Sequence, residues 1–426
     1  MHDLLKRVGK SLLISIWFAI LTFPLLTVKV SARIQDINFL WERAVLLMIV
    51  VFFLALFWLW YFQDRAADGK GHISFPAAQK IGSAWSKVRK IFSVDSKARK
   101  IILGLALIAL AGWPLQGAEL YQITIFTSAF IYIMLALGLN IVVGVAGQLV
   151  LGYAAFFAIG AYTYGLFYHY LSWSFWICLP IAGFFTTIAG LLLGFPVLRL
   201  RGDYLAIVTL GFGEITRLLL TNLSDFTRGS QGIRGIPQPG LGLFGVELNS
   251  DQKATLLYYL TLAAAILTII VVKRIRDSRI GIGLQAMRED EIAGEAMGID
   301  PSKSKLIAFA LSACWAGFAG VFSAARVQFI SPTSFNFMES AMILSMVVLG
   351  GMGSIAGVAI AALVLTLLPE FLRAFSEYRM LIFGALMVIM MIFRPQGLMP
   401  PGKRNYHISA LARGQDQPQK AEGEHA

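Results

Sequence analysis

The chain has 426 residues, of which 57% are apolar and only 14% charged, and it carries a formal net charge of +12. A soluble domain holds about 45–50% apolar residues and arranges them in amphipathic periods; here they gather into uninterrupted runs, which excludes an ordinary water-soluble core. The Lys and Arg residues lie between those runs, so the positive charge belongs to membrane flanks and does not point to nucleic acid.

In chain order, the first run, 11–28, follows Lys6, Arg7 and Lys10 and precedes Val30-Ser31-Ala32. That arrangement imitates a secretory signal, but the run exceeds the usual apolar core of about 7–15 residues, so an uncleaved span is expected. Further runs follow at 43–62, 101–114, 121–143, 149–168, 175–195, 204–222, 254–273, 304–325, 338–350, 354–373 and 378–394. Crossing a hydrocarbon core takes about 20 helical residues. The runs at 101–114 and 338–350 are short for that, so the expected fold is an all-α, polytopic bundle of about 10–12 transmembrane helices.

Orientation follows from the basic residues. If every run crosses and the N-terminus is cytoplasmic, 26 of the 36 Lys and Arg residues fall inside, nine outside, and Arg217 within a span. Both termini are therefore expected in the cytoplasm. Three regions are expected: an N-terminal extension over 1–100 with two spans and a basic loop, a membrane domain over 101–400, and a disordered cytoplasmic tail over 401–426. The Gly- and Pro-rich stretch 225–249 is expected to be an irregular outside loop.

No catalytic constellation is present. Cys178 and Cys314 lie in apolar runs and the five histidines are scattered, so neither a disulfide framework nor a metal site is expected, and no cofactor is expected. Gly9-Lys10-Ser11 imitates the end of a phosphate-binding loop, but Leu4 stands where that loop needs its first Gly.

Between the runs 254–273 and 304–325 lies a polar stretch, Asp277 to Asp300. Ile292, Ala293, Ala296 and Met297 fall on one helical face, with Arg288, Glu291 and Glu295 off it. Asp300 followed by Pro301 is an N-cap and first-turn pair. This spacing describes an amphipathic helix at the cytoplasmic surface, either a passive connector or a docking element. Glycines interrupt two runs, Gly138 to Gly152 and Gly350, Gly351, Gly353 and Gly357. Such breaks serve close helix packing or line a pathway. Glu214 and Arg217 lie inside a span at i, i+3 spacing, as an ion pair or facing a polar cavity; Asn140 and Gln148 are further polar candidates.

These residues carry a resemblance. Arg288-Glu289-Asp290-Glu291-Ile292-Ala293, followed by Ala296-Met297-Gly298-Ile299, is similar to the cytoplasmic loop of the branched-chain amino acid permeases of ATP-binding cassette transporters. So are Gly138-Leu139-Asn140 with Gly147-Gln148, the stretch from Arg199 to Glu214, Thr227 to Gly232, and Glu339-Ser340-Ala341 with Leu349 to Ser354. The matching motifs span about residues 120–400 in the family's order, and the N-terminal extension resembles the longer subunit type of that family.

The resemblance implies that residues 281–299 form a coupling helix seated in a cleft of the ATPase. One feature departs from the general importer pattern: the acidic residue is displaced to Glu291. It also implies a multi-pass protein of a bacterial inner membrane, paired with a second permease as a heterodimer. Two ATP-binding subunits and a periplasmic or extracellular solute-binding protein complete the implied complex, with Leu, Ile or Val as cargo. Two alternatives stay open: a urea or short-amide permease of the same architecture, and an ion-coupled secondary transporter, for which midplane ionisable groups are few.

Overall fold

The computed structural model describes residues 112–116, 119–197, 200, 202–240 and 249–371, with 28–30, 37–39, 384, 388 and 397–399. The chain divides into two compact units, Met1–Arg99 and Lys100–Ala426. In the first, Val28–Val30 (β1) pairs antiparallel with Ile37–Phe39 (β2), Val28 opposite Phe39. The expected span 43–62, the basic loop, most of 11–28 and the tail 401–426 lie outside the described residues, as do most of 101–114 and 378–394.

The second unit is helical, and its helices follow the apolar runs. Leu120–Asn140 (α1) is apolar on every face and continues through a π turn, Ile141–Val145. The extra residue of a π turn breaks the regular ladder, and Gly144 sits at that break. Tyr153–Leu171 (α2), Phe175–Val197 (α3), Asp203–Asn222 (α4) and Ser250–Asp277 (α5) follow. A capping box starts α5, with the Asn249 backbone N–H donating to Gln252 Oε1 at 3.1 Å. Two short helices, Arg279–Glu289 (α6) and Glu291–Ala296 (α7), lead to Pro301–Val327 (α8), Phe337–Gly350 (α9) and Ile355–Phe371 (α10).

Six stretches among the described residues are long and apolar enough to cross a membrane: Leu120–Val145, Phe175–Val197, Asp203–Asn222, Ser250–Asp277, Pro301–Val327 and Pro332–Gly350. The run expected to be short, 338–350, gains length because a 3-10 turn, Pro332–Ser334, extends α9 backward. The chain is a helical, multi-pass membrane protein.

The core sits where α8 crosses α3, α2 and α1. Small residues let the backbones meet: a Cβ on Gly160 of α2 would stand 2.8 Å from the Gly317 carbonyl carbon of α8. Close approach of this kind drives helix association in lipid, where the hydrophobic effect between helices is absent. Several buried hydroxyls are satisfied inside their own helices, as where Thr268 Oγ1 donates to the Ala264 carbonyl at 2.7 Å. Among the six spans α1 is the most enclosed and α4 the most exposed.

A two-stranded clip closes one end of the unit. Ile233–Arg234 (β3), in the Gly-rich stretch 225–249, pairs antiparallel with Phe329–Ile330 (β4), which follows α8. The Arg234 guanidinium lies over the Phe329 ring, 5.6 Å from its centroid.

Candidate functional site

The polar stretch after α5 folds into two helices rather than one. Ser278 leaves helical geometry, and its Oγ accepts from the Gly281 N–H at 3.3 Å to start α6. Asp290 is extended, and its Oδ1 accepts from the N–H groups of Ile292 at 2.9 Å and Ala293 at 3.0 Å. A capping carboxylate therefore ends α6 and begins α7 within one residue. Gly298, with φ of +82°, closes α7; its N–H donates to Glu295, and the Ile299 N–H reaches the Gly294 carbonyl at 3.1 Å. Asp300 then caps α8 through the N–H groups of Ser302 and Lys303, at 3.0 and 3.1 Å.

These corners give α7 an inner and an outer side. On the inner side Gly294 is buried against Met287, and Lys305 Nζ of α8 donates to Glu291 Oε1 at 2.8 Å. The Lys305 side chain is only 8% exposed. On the outer side Ile292 is 71% and Met297 83% exposed, with Ala293 and Ala296 exposed between them. The apolar ridge expected from the spacing is thus turned away from the chain's own core. Glu289 and Glu295 are also exposed.

Arg288 does not stay at the rim of this ridge. Its guanidinium Nη1 donates to the Gly144 carbonyl in the π turn of α1. Gly147 leaves room for the stem, since a Cβ there would stand 2.6 Å from Arg288 Cγ. A cavity of about 260 Å³ lies beside it, lined by Gly147, Gln148, Asp203, Met287, Arg288 and Lys305. Gln148 is 9% exposed, and its Oε1 is buried with no partner among the described residues.

Asn140 and the glycines at 350–353 meet at the same end of α1. Asn140 is fully buried, and its Oδ1 accepts from the Gly353 N–H at 2.9 Å. Gly353 has a φ of +86°, and a Cβ on it would stand 3.1 Å from the Gly144 carbonyl and 3.4 Å from Arg288 Nη1. The turn joining α9 to α10, with Gly350 and Gly351, therefore seats on the π turn beside the Arg288 guanidinium. Glu214 lies apart from this cluster. On α4 it pairs with Arg217, whose Nε donates to both carboxylate oxygens at 3.0 and 3.1 Å. The Glu214 side chain is 46% exposed on the outside of the unit. Two residues with no role expected from their positions, Tyr132 and Arg326, join Glu339 around a second cavity between α1, α2, α8 and α9.

The family model for the branched-chain amino acid transport system / permease component matches residues 121–391. A high-affinity branched-chain amino acid transport system permease protein, LivM of Escherichia coli, is 45% identical over 80% of this chain and 85% of its own. A probable LivM of Methanocaldococcus jannaschii is 26% identical over 53% of this chain and 67% of its own. The E. coli permease protein LivH is 30% identical over 29% of this chain and 41% of its own. No solved structure gives a significant match.

Proposed function

The chain belongs to the family of branched-chain amino acid transport permease components, and from that membership we propose that it imports Leu, Ile or Val as one half of a permease pair driven by ATP. The other half is a second, LivH-like permease. Two ATP-binding subunits dock on the cytoplasmic side of a bacterial inner membrane, and a solute-binding protein delivers cargo to the opposite side. The chain itself carries out no covalent step.

The observation that carries this reading is the two-sided α7. Its apolar ridge is exposed, while its inner side is fastened to the spans through Glu291–Lys305 and, two residues before the Asp290 cap, through Arg288 and Gly144. A part bound to a moving ATPase on one side and to a membrane helix on the other transmits motion. The residues Arg288 to Gly298 form this coupling element. The π turn, Asn140, Gln148 and the 350–353 turn stand where that motion enters the membrane unit.

The Glu214–Arg217 pair supports a partner on α4. A charge at the centre of a span costs about 2.5–3.5 kcal/mol on insertion scales, and pairing offsets part of that; facing protein or water removes more. We place the second permease and the pathway against this side of α4. ATP-dependent accumulation of labelled leucine in proteoliposomes holding both permeases, both ATPase copies and the loaded binding protein tests the function. Accumulation of urea or a short amide in place of leucine, or uptake without ATP along an ion gradient, identifies the rival carriers.

A further inference from the structure

Resting on the importer function proposed above, we infer that the cavity between Arg326 and Glu339 is a binding subsite for one zwitterionic amino acid, its carboxylate held by Arg326 and its ammonium by Glu339. The cavity measures about 210 Å³. At about 30 Å³ per water it holds about seven waters, the scale of a single small solute. One side carries Arg326, in the last turn of α8; another carries Glu339, in the first turn of α9. The remaining wall mixes Ser128, Ser323 and Ser334 with Phe157, Phe329, Ile330 and Phe335, the rings of Phe157 and Phe335 5.2 Å apart.

The two charges are poised rather than consumed. Tyr132 Oη donates to Glu339 Oε1 at 2.7 Å, which fixes one carboxylate oxygen. Among the described residues the Arg326 side chain makes no ion pair with Glu339 and no hydrogen bond, and its Nε is buried without a partner. Helix dipoles favour a cation at the end of α8 and an anion at the start of α9. They account for the sign of each charge, but not for a buried Nε left unsatisfied beside an opening. A buried polar group without a partner is costly, and a bidentate carboxylate is the ligand that a guanidinium fork fits best. Opposite charges lining one cavity together with Phe157, Ile330 and Phe335 match an amino acid with a branched aliphatic side chain. Phe329 and Ile330 of β4 and Ser334 of the turn after it line the cavity on the side that the basic-residue count places outside, where cargo arrives.

The test is equilibrium binding of radiolabelled L-leucine to the purified complex without its binding protein, in nanodiscs of phosphatidylglycerol, which lack zwitterionic headgroups. The unsubstituted complex should bind leucine, while isocaproate (no ammonium) and isoamylamine (no carboxylate) should compete at least about tenfold more weakly. Glu339→Gln should weaken leucine by about tenfold or more and narrow its advantage over isocaproate; Arg326→Gln should do the same against isoamylamine. Co-purification with the partner permease reports assembly, and if Arg326→Gln fails to assemble, Glu339→Gln with the analogue pair decides. Unaltered leucine affinity in an assembled Glu339→Gln complex overturns the inference, as does absence of leucine binding to the unsubstituted one. Displacement of leucine by phosphatidylethanolamine, with both analogues inert, would assign the cavity to a lipid headgroup and overturn it equally. ATP-driven leucine uptake, measured in parallel, separates the two levels: its absence in the unsubstituted complex overturns the importer function, and its presence beside unaffected variants overturns the subsite alone.

Discussion

The Arg288 guanidinium donates to the backbone carbonyl of Gly144, joining the end of α6 to the π turn that ends α1 across 144 positions of sequence. The last carbonyls of a helix have no intrahelical partner, and Arg288 supplies a donor to that of Gly144. The same turn receives Gly353 beside Asn140. Arg288→Ala removes the donor while leaving the outer ridge of α7 in place. A hydrogen bond from a charged group is worth about 1.5–3 kcal/mol, so leucine import should fall by about tenfold or more while the complex still hydrolyses ATP. Parallel assays of hydrolysis and uptake check this; an equal fall in both places Arg288 in assembly rather than transmission.

Glu291 and Lys305 form a pair with Lys305 nearly enclosed. Removing one partner strands a buried charge, which costs about 3–5 kcal/mol, whereas replacing both by apolar residues is often neutral. Glu291→Leu alone should therefore lower the amount of chain recovered in the membrane, and Glu291→Leu with Lys305→Met should restore it. Thermal denaturation of the purified permease pair gives the same ordering. Recovery of the single variant at the level of the unsubstituted chain would show that the pair carries no weight.

The corner between α7 and α8 has a defined pH response. The Lys303 backbone N–H, donating to Asp300, holds that carboxyl below its ordinary range. A carboxylate with a lowered folded-state pKa contributes stability that is complete above its unfolded pKa and is lost as pH falls through the folded value. Asp300 should thus support the corner at neutral pH and release it only in acid. Asp300→Asn keeps a capping oxygen and should remove this acid-dependent part, visible as a flatter profile of amide exchange at Ser302 and Lys303.

Topology is checked by single cysteines on a background lacking Cys178 and Cys314. Gln231, in the Gly-rich stretch, and Glu295, on α7, are both exposed. An impermeant thiol reagent applied to intact cells should label Gln231→Cys and spare Glu295→Cys until the membrane is opened. The reverse pattern would invert the orientation and place α7 beyond the reach of any cytoplasmic ATPase.

The spans were legible because length and apolarity alone decide them in lipid: 121–143 becomes α1 with its π turn, and 304–325 becomes α8 with its Asp300 cap. The exposed ridge of Ile292, Ala293, Ala296 and Met297 was legible from helical spacing. The break at Asp290 was not, since strong helix formers flank it on both sides and only the extended conformation reveals the cap. Helical spacing puts Arg288 only off the apolar face; its partner is a backbone carbonyl, and no side-chain pattern announces that. The second cavity was hidden for a different reason. Tyr132 and Glu339 stand 207 positions apart, and Arg326 at the end of an apolar run is indistinguishable from an ordinary membrane flank. Only the packing of α8 and α9 against α1 brings the three together.

The central claim, that α7 receives force from a separate ATPase, is tested most directly at Ile292, which is 71% exposed at the start of the ridge. Burying one large apolar side chain is worth about 1.5–3 kcal/mol, so Ile292→Asp should weaken docking by about tenfold to a hundredfold. The measurement is co-purification of the ATPase subunits with the permease pair, together with hydrolysis stimulated by loaded binding protein. The account predicts that both are lost while the two permeases still assemble, because their contacts lie in the membrane. An Ile292→Asp complex that retains its ATPase and its stimulated hydrolysis would contradict the account and leave α7 a passive connector.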